Sequence, residues 1–69
     1  MRIVQVGGSR LMAEDARRRL ESIVFRSSLE AARGLQRCFP HHVVYERGDR
    51  IQVAVRDRSF VVADFKPVL

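Results

Sequence analysis

The sequence predicts a small single α+β domain in the order β-(α)-β-α-β-β-β, its C-terminal three-stranded antiparallel meander packed on one helix. Three observations carry that prediction. The chain has 69 residues, the size of one domain, and scaling of surface with mass has such a chain bury only about 60% of its unfolded surface. A capping signature at Ser27–Glu30 opens a helix that Pro40 ends. After it come three β-branched segments, separated by Gly48-Asp49 and Asp57-Arg58.

Taken in order, residues 2–6 (Arg-Ile-Val-Gln-Val) form a strand that stops at Gly7-Gly8. Ser9 is placed to cap a helix on which Met12, Ala16 and Leu20 share a face. Residues 22–28 admit two readings. A single helix from about residue 10 to residue 38 would be on the order of 43 Å long, which suits a dimer but not a monomer of this size. It would also strand Phe25 and Leu29 opposite its apolar stripe. The alternative makes Ser22-Ile23-Val24-Phe25-Arg26 a short strand and starts a new helix at residue 28 with Ser27 as N-cap. That helix presents Leu29, Ala32, Leu35 and Phe39 to the core and Glu30, Arg33 and Arg37 to water. The second reading places every large side chain and is the expectation. Gly34 weakens this helix under either reading.

His42–Arg47, Arg50–Arg56 and Ser59–Phe65 are the three strands of the meander, joined by two-residue turns that set the register. Val44 then lies opposite Val53 and Val55 opposite Phe60, with Ile51 and Val62 on the same, helix-covered face. The other face receives Val43, Tyr45, Ala54, Val61, Ala63 and Phe65, and is too apolar to stay bare. Val43, Ala54, Val61, Ala63 and Phe65 are therefore a candidate self-association face, and a homodimer is expected unless residues 9–20 or a target cover it.

The charge is +5, and of 13 cations only Lys66 is not arginine. Arginine presents a planar fork that suits phosphate and carboxylate alike, so the balance points to an acidic partner of either kind. A single cysteine, Cys38, cannot form an internal disulfide and indicates a reducing compartment. The stretch Met1–Val6 is too short and too alternating for a signal peptide, and no apolar run approaches the roughly 18 residues that cross a bilayer. A soluble, cytoplasmic protein with no membrane contact is expected.

Chemistry-bearing groups are sparse. Cys38-Phe39-Pro40-His41-His42 is the one cluster of soft ligands, but it holds three donors around a proline, and a closed zinc site needs four. Gly7-Gly8-Ser9-Arg10 follows a strand but lacks the further glycines or the Lys-Ser/Thr pair of phosphate-cradling loops. Glu14, Asp15 and Asp57 stand among arginines at exposed positions, where solvated charge is the ordinary role. No enzyme activity, metal or other cofactor is expected. The arginines are better placed for recognition. Arg33 and Arg37 are one helical turn apart, Arg47 and Arg50 flank the first hairpin turn, and Arg56 and Arg58 flank the second. With Tyr45, the residues Arg33, Arg37, Arg47 and Arg50 are the candidate partner-binding set, and nucleic acid is a possible partner through phosphate contacts.

Within residues 22–65, Ser28-Leu29 is followed at helical spacing by Ala32-Arg33, then by Cys38-Phe39 with a histidine at the helix exit, then by the hairpins. In that stretch the chain resembles the small phage-encoded anti-CRISPR proteins of the type I-F class. It departs from them where residues 9–20 form a long helix-like insertion instead of a tight connection. The resemblance implies a protein that works without catalysis or cofactor. It would dock on a CRISPR surveillance complex near its guide-RNA or target-DNA groove, through basic and apolar patches. The expected function is thus a small basic binding protein, an inhibitor or regulator that docks on a larger protein or protein–nucleic-acid complex. The alternatives are a direct DNA- or RNA-binding module and an obligate homodimer.

Overall fold

Six elements form in the order β1 (Arg2–Gly7), α1 (Glu14–Ser22), α2 (Ser28–Cys38), β2 (Val43–Arg47), β3 (Arg50–Ala54) and β4 (Val61–Val68). They are seen in a computed structural model that describes residues 1–8, 13–57 and 59–68. The strands make one antiparallel sheet in the order β1-β4-β3-β2, so the meander β2-β3-β4 is extended by β1 along β4. The α+β class is as expected. The described helices are too short and polar to cross a membrane.

The second predicted strand, residues 22–26, does not form. Helix α1 runs on through Ser22, and in the rest of that segment only Phe25 pairs its backbone with another segment, at Met1 just ahead of β1. Its N–H donates to Met1 O and its carbonyl accepts from the Met1 ammonium, both at 2.7 Å. Only Arg26 is left before the Ser27 cap, which is too little chain for a ladder. Phe25 also turns its ring inward. It is 9% exposed, and a Cβ on Gly34 would stand 3.0 Å from its Cε1. Gly34 is therefore less a weak point of α2 than the space in which Phe25 lies.

That ring also turns the buried side of α2 away from the predicted one. Ala31, Gly34 and Leu35 are buried, Ala32 and Phe39 are half-buried, and Leu29 is 52% exposed. The predicted cap is present, with Ser27 Oγ accepting from the Glu30 N–H at 3.3 Å. Helix α1 has Ala13 at its N-cap with no side-chain cap, and Glu14 and Asp15 in its first turn complement the helix dipole. The predicted cap Ser9 and the stripe residue Met12 lie outside the described residues, as does Arg58. Both helices pack on the same side of the sheet, α1 against β1 and α2 against β2 and β3. Between them and the sheet sit Ile3, Leu20, Leu35, Ile51, Val53, Ala63 and Phe65.

Register decides which side chains reach that core. The first hairpin is as predicted: Arg47 pairs Arg50 across Gly48-Asp49, with Gly48 at φ 62°, a conformation glycine adopts without strain. Val44 lies opposite Val53. The second connection is longer than the predicted two residues. It spans residues 55–60, with the Val55 N–H donating to Phe60 O at 2.9 Å. Just beyond it β4 carries a bulge: Ala54 pairs Val61, but Val53 pairs Ala63 and Ile51 pairs Phe65. The extra residue is Val62. Because side chains alternate with period two, one added residue exchanges the faces of everything after it. Ala63 and Phe65 thereby join Ile51 and Val53 in the core instead of lying opposite them, and Phe60 is left 48% exposed.

Each outer edge of the sheet is blunted by a side chain from a helix. On β1, the Gln5 N–H donates to Glu21 Oε2 at 3.0 Å. On β2, the Val44 N–H donates to Gln36 Oε1 at 3.3 Å, while Gln36 Nε2 donates to the carbonyls of Phe39 (2.9 Å) and His42 (2.8 Å). These contacts occupy backbone groups that an added strand would otherwise use.

Candidate docking face on the open side of the sheet

With both helices on one side, the described elements leave the other side of the sheet without a helix. The register places its residues in rows across the strands. The first row is Val61–Ala54–Val43, the second is Gly7–Asp64–Gln52–Tyr45, and the last pair is Arg2 and Val68. Before that pair comes a third row. Val4 pairs Lys66, Arg50 pairs Arg47, and the Ile51–Phe65 pairing brings Arg50 beside Lys66. The face thus runs from apolar at one end, through hydrogen-bonding groups, to an end where the cations stand on β4, β3 and β2 with Val4 and Val68 beside them.

Arg50 is the fixed member of that cationic row. Its Nη1 donates to Asp64 Oδ2 at 3.2 Å, and its Nε lies 3.9 Å from Asp49 Oδ1. Asp64 is the one carboxylate on the described face, and its side chain is 17% exposed. Arg2, Arg47 and Lys66 are exposed, and among the described residues they form no ion pair. Asp64 Oδ1 and Gln52 Oε1 are buried without a hydrogen-bond partner among the described residues.

The five predicted partner-binding residues do not come together. Tyr45, Arg47 and Arg50 share this face, with Tyr45 half-buried. Arg33 and Arg37 are exposed on α2, which packs on the opposite side, so the sheet stands between the two groups. Arg33 is also engaged with Glu30 at 3.5 Å. The predicted self-association face divides as well. Val43, Ala54 and Val61 lie on the open face, whereas Ala63 (1% exposed) and Phe65 (0%) are core because of the bulge. Ala54, paired with Val43 and Val61, is fully covered yet stands outside the core cluster. Sequence reading missed Arg2, Gln52, Asp64 and Lys66 as members of this surface. Only the bulge aligns the β4 residues with Gln52 and Arg50, and no residue type announces it.

The other motifs are spread apart. Cys38 is exposed, and the His42 ring meets Phe39 edge-on at 5.7 Å. No cluster of three His, Cys, Asp or Glu suited to a metal occurs among the described residues. Gly8 has φ 133°, and a Cβ there would stand 2.6 Å from the Val62 carbonyl oxygen, so this glycine is needed for close packing on β4. Asp57 accepts from the Ser59 hydroxyl at 2.6 Å and from its N–H at 3.0 Å, which hold the Asp57 carboxyl below its ordinary value. A groove of roughly 420 Å³ lies beside α1, lined by Ala16, Arg19, Leu20, Ile23 and Cys38. Compared with known proteins, the chain matches no family model, no curated protein and no solved structure.

Proposed function

We propose that this is a small binding protein that acts without catalysis, an inhibitor or regulator that docks its open sheet face on a larger protein or protein–nucleic-acid complex. The observation that carries the proposal is the segregation of the fold. Both helices cover one face of the sheet, while Val43, Tyr45, Arg47 and Arg50 stand together on the other. A face with an apolar end and a charged end can bury area and fix orientation at once, which is what specific docking needs. The resemblance to anti-CRISPR proteins agrees with such a role, although the strand pair that opens that pattern is here a strand and a helix.

Affinity capture from a native lysate, with and without nuclease, tests the proposal. A Tyr45→Ala/Arg47→Glu variant is expected to lose the captured complex, and an Arg33→Glu/Arg37→Glu variant to keep it. Capture that depends on the helix pair and ignores the sheet pair would refute this surface. A second reading rests on the apolar row Val43–Ala54–Val61, which a second copy of the chain could cover to give a homodimer. Light scattering at micromolar concentration decides it: a dimer that Val43→Asp dissociates supports this reading, and a monomer removes it.

A further inference from the structure

We propose that the open face binds single-stranded nucleic acid, with Lys66, Arg50 and Arg47 taking successive backbone phosphates and the rows behind them receiving the bases. This deepens the docking reading and rests on it, because both use the same side of the sheet. The three cations sit on three neighbouring strands, so their backbone positions step by about 4.8 Å across the sheet. Arg50 is held in the middle by Asp64 at 3.2 Å through Nη1, and its Nε is buried 3.9 Å from Asp49, so the remaining Nη hydrogens are the ones left for a ligand. Its two neighbours, Arg47 and Lys66, form no ion pair among the described residues, and Arg2 extends the charge one row further on β1. Four cations thus meet two carboxylates here, Asp64 on β4 and Asp49 in the turn, and both are ion-paired to Arg50.

The arrangement favours a nucleic-acid strand over an acidic protein for a geometric reason. The cations are confined to one end of the face. Immediately behind them lie the half-buried Gln52, Asp64 and Tyr45, with Gln52 Oε1 and Asp64 Oδ1 buried beneath the surface, and behind those the apolar Val43 and Val61. A single strand has the same polarity, with phosphates along one side and hydrogen-bonding, stackable bases along the other. In a duplex the bases are stacked inward and could not lie on such a shelf. Acidic protein surfaces carry no such fixed separation of charge from planar rings.

The test is fluorescence anisotropy with a labelled oligothymidylate or oligouridylate of about 12 nucleotides. The same sequence as a duplex and a polyglutamate peptide are the competing arms. With three to four phosphates neutralised, affinity for the single strand should fall roughly 15- to 60-fold between about 50 and about 200 mM salt. Arg47→Gln/Lys66→Gln should flatten the log–log salt slope by about 1.4, two contacts' worth. Arg33→Gln/Arg37→Gln removes the same charge from the helix side and should leave the slope unchanged. All four side chains are exposed, and an unchanged thermal transition confirms that both variants fold. Equal loss in the two variants, or no binding at the lowest salt, overturns the phosphate row. Polyglutamate binding as tight as the oligonucleotide assigns the row to an acidic protein, and tighter binding of the duplex rules out the single strand. If oligonucleotides fail yet Arg47→Gln/Lys66→Gln abolishes capture from nuclease-treated lysate, the phosphate assignment falls and the docking reading stands. Loss of neither signal overturns both.

Discussion

On its helix side the sheet buries Ile3, Ile51, Val53, Ala63 and Phe65 to 1% exposure or less. On its open side Arg2, Arg47 and Lys66 are exposed, and even the apolar Val43 and Val61 stay half-buried. The two faces are built from the same strands and alternate residue by residue, so neither has a composition of its own in the linear sequence. What separates them is the added residue at Val62. Without it Phe65 would point away from the helices, and Asp64 would lie opposite Ile51 beneath them, a charge in the middle of the core. The bulge does two things at once: it completes the core and it sends Asp64 and Lys66 to the surface we assign to recognition.

Truncating one residue on each face of β4 tests the difference between the two faces most directly. Phe65→Ala should cost about 3–5 kcal/mol, the range for an aromatic lost from a packed core, and a domain this small would be largely unfolded. Val61→Ala on the open face should cost about 1 kcal/mol or less, since a half-buried valine loses little area. Denaturant midpoints measure both. Similar losses would mean that the open face is packed as tightly as the core, and its role as a docking surface would fail with that result.

A smaller effect is expected where the sheet meets water at its edges. Gln36 makes three hydrogen bonds that tie α2, the Phe39–His42 turn and β2 together, whereas Glu21 makes one to β1. Gln36→Ala should therefore destabilise by about 1–3 kcal/mol, with the Val44 amide exchanging its hydrogen faster. Glu21→Ala should fall at or below the lower end of that range and expose only the Gln5 amide. Unchanged exchange at Val44 would show that β2 needs no cover at its edge.

Much of the fold was legible because local chemistry and global packing agreed. Ser27 and Glu30 form the cap they spell out, Pro40 follows the end of α2, and Gly48-Asp49 makes the turn that pairs Val44 with Val53. The misreadings fall where two structures suit the same residues. Ile23 and Val24 have strand-like side chains, yet they are 43% and 74% exposed in a connector, because Phe25 alone was needed inside. Val61-Val62 is β-branched twice over, so alternation continues equally well with or without a bulge between them. The candidate site inherits that ambiguity: Tyr45, Arg47 and Arg50 were found from the hairpin, while Lys66 and Asp64 were placed only by the shifted register. Arg33 and Arg37 were grouped with them by charge alone, and charge carries no information about which side of a sheet a helix will cover.

The smallest expected effect concerns the connection that delivers the chain into the bulge. Asp57 lies between Val55 and Phe60, whose backbones bond at 2.9 Å just before β4 begins. The Ser59 hydroxyl first, then the Ser59 N–H, hold the Asp57 carboxyl below its ordinary value of 3.8. Because the folded-state value lies below the unfolded one, the turn's contribution is fully present above the ordinary carboxylate range. It is lost as the pH falls through the lowered value. Asp57 is fully exposed, so the consequence is local: on acidification the amide resonances of Ser59 through Ala63 should shift together while those of Ile3 and Leu35 stay still. Ser59→Ala should return the Asp57 titration toward 3.8 and remove most of that shift. If the bulge residues Val62 and Ala63 do not respond although Asp57 titrates, the register is set inside the sheet by the packing of Phe65 and Ala63, and the turn merely accommodates it. If they do respond, the short polar turn helps to choose which residues of β4 face the core and which face the partner.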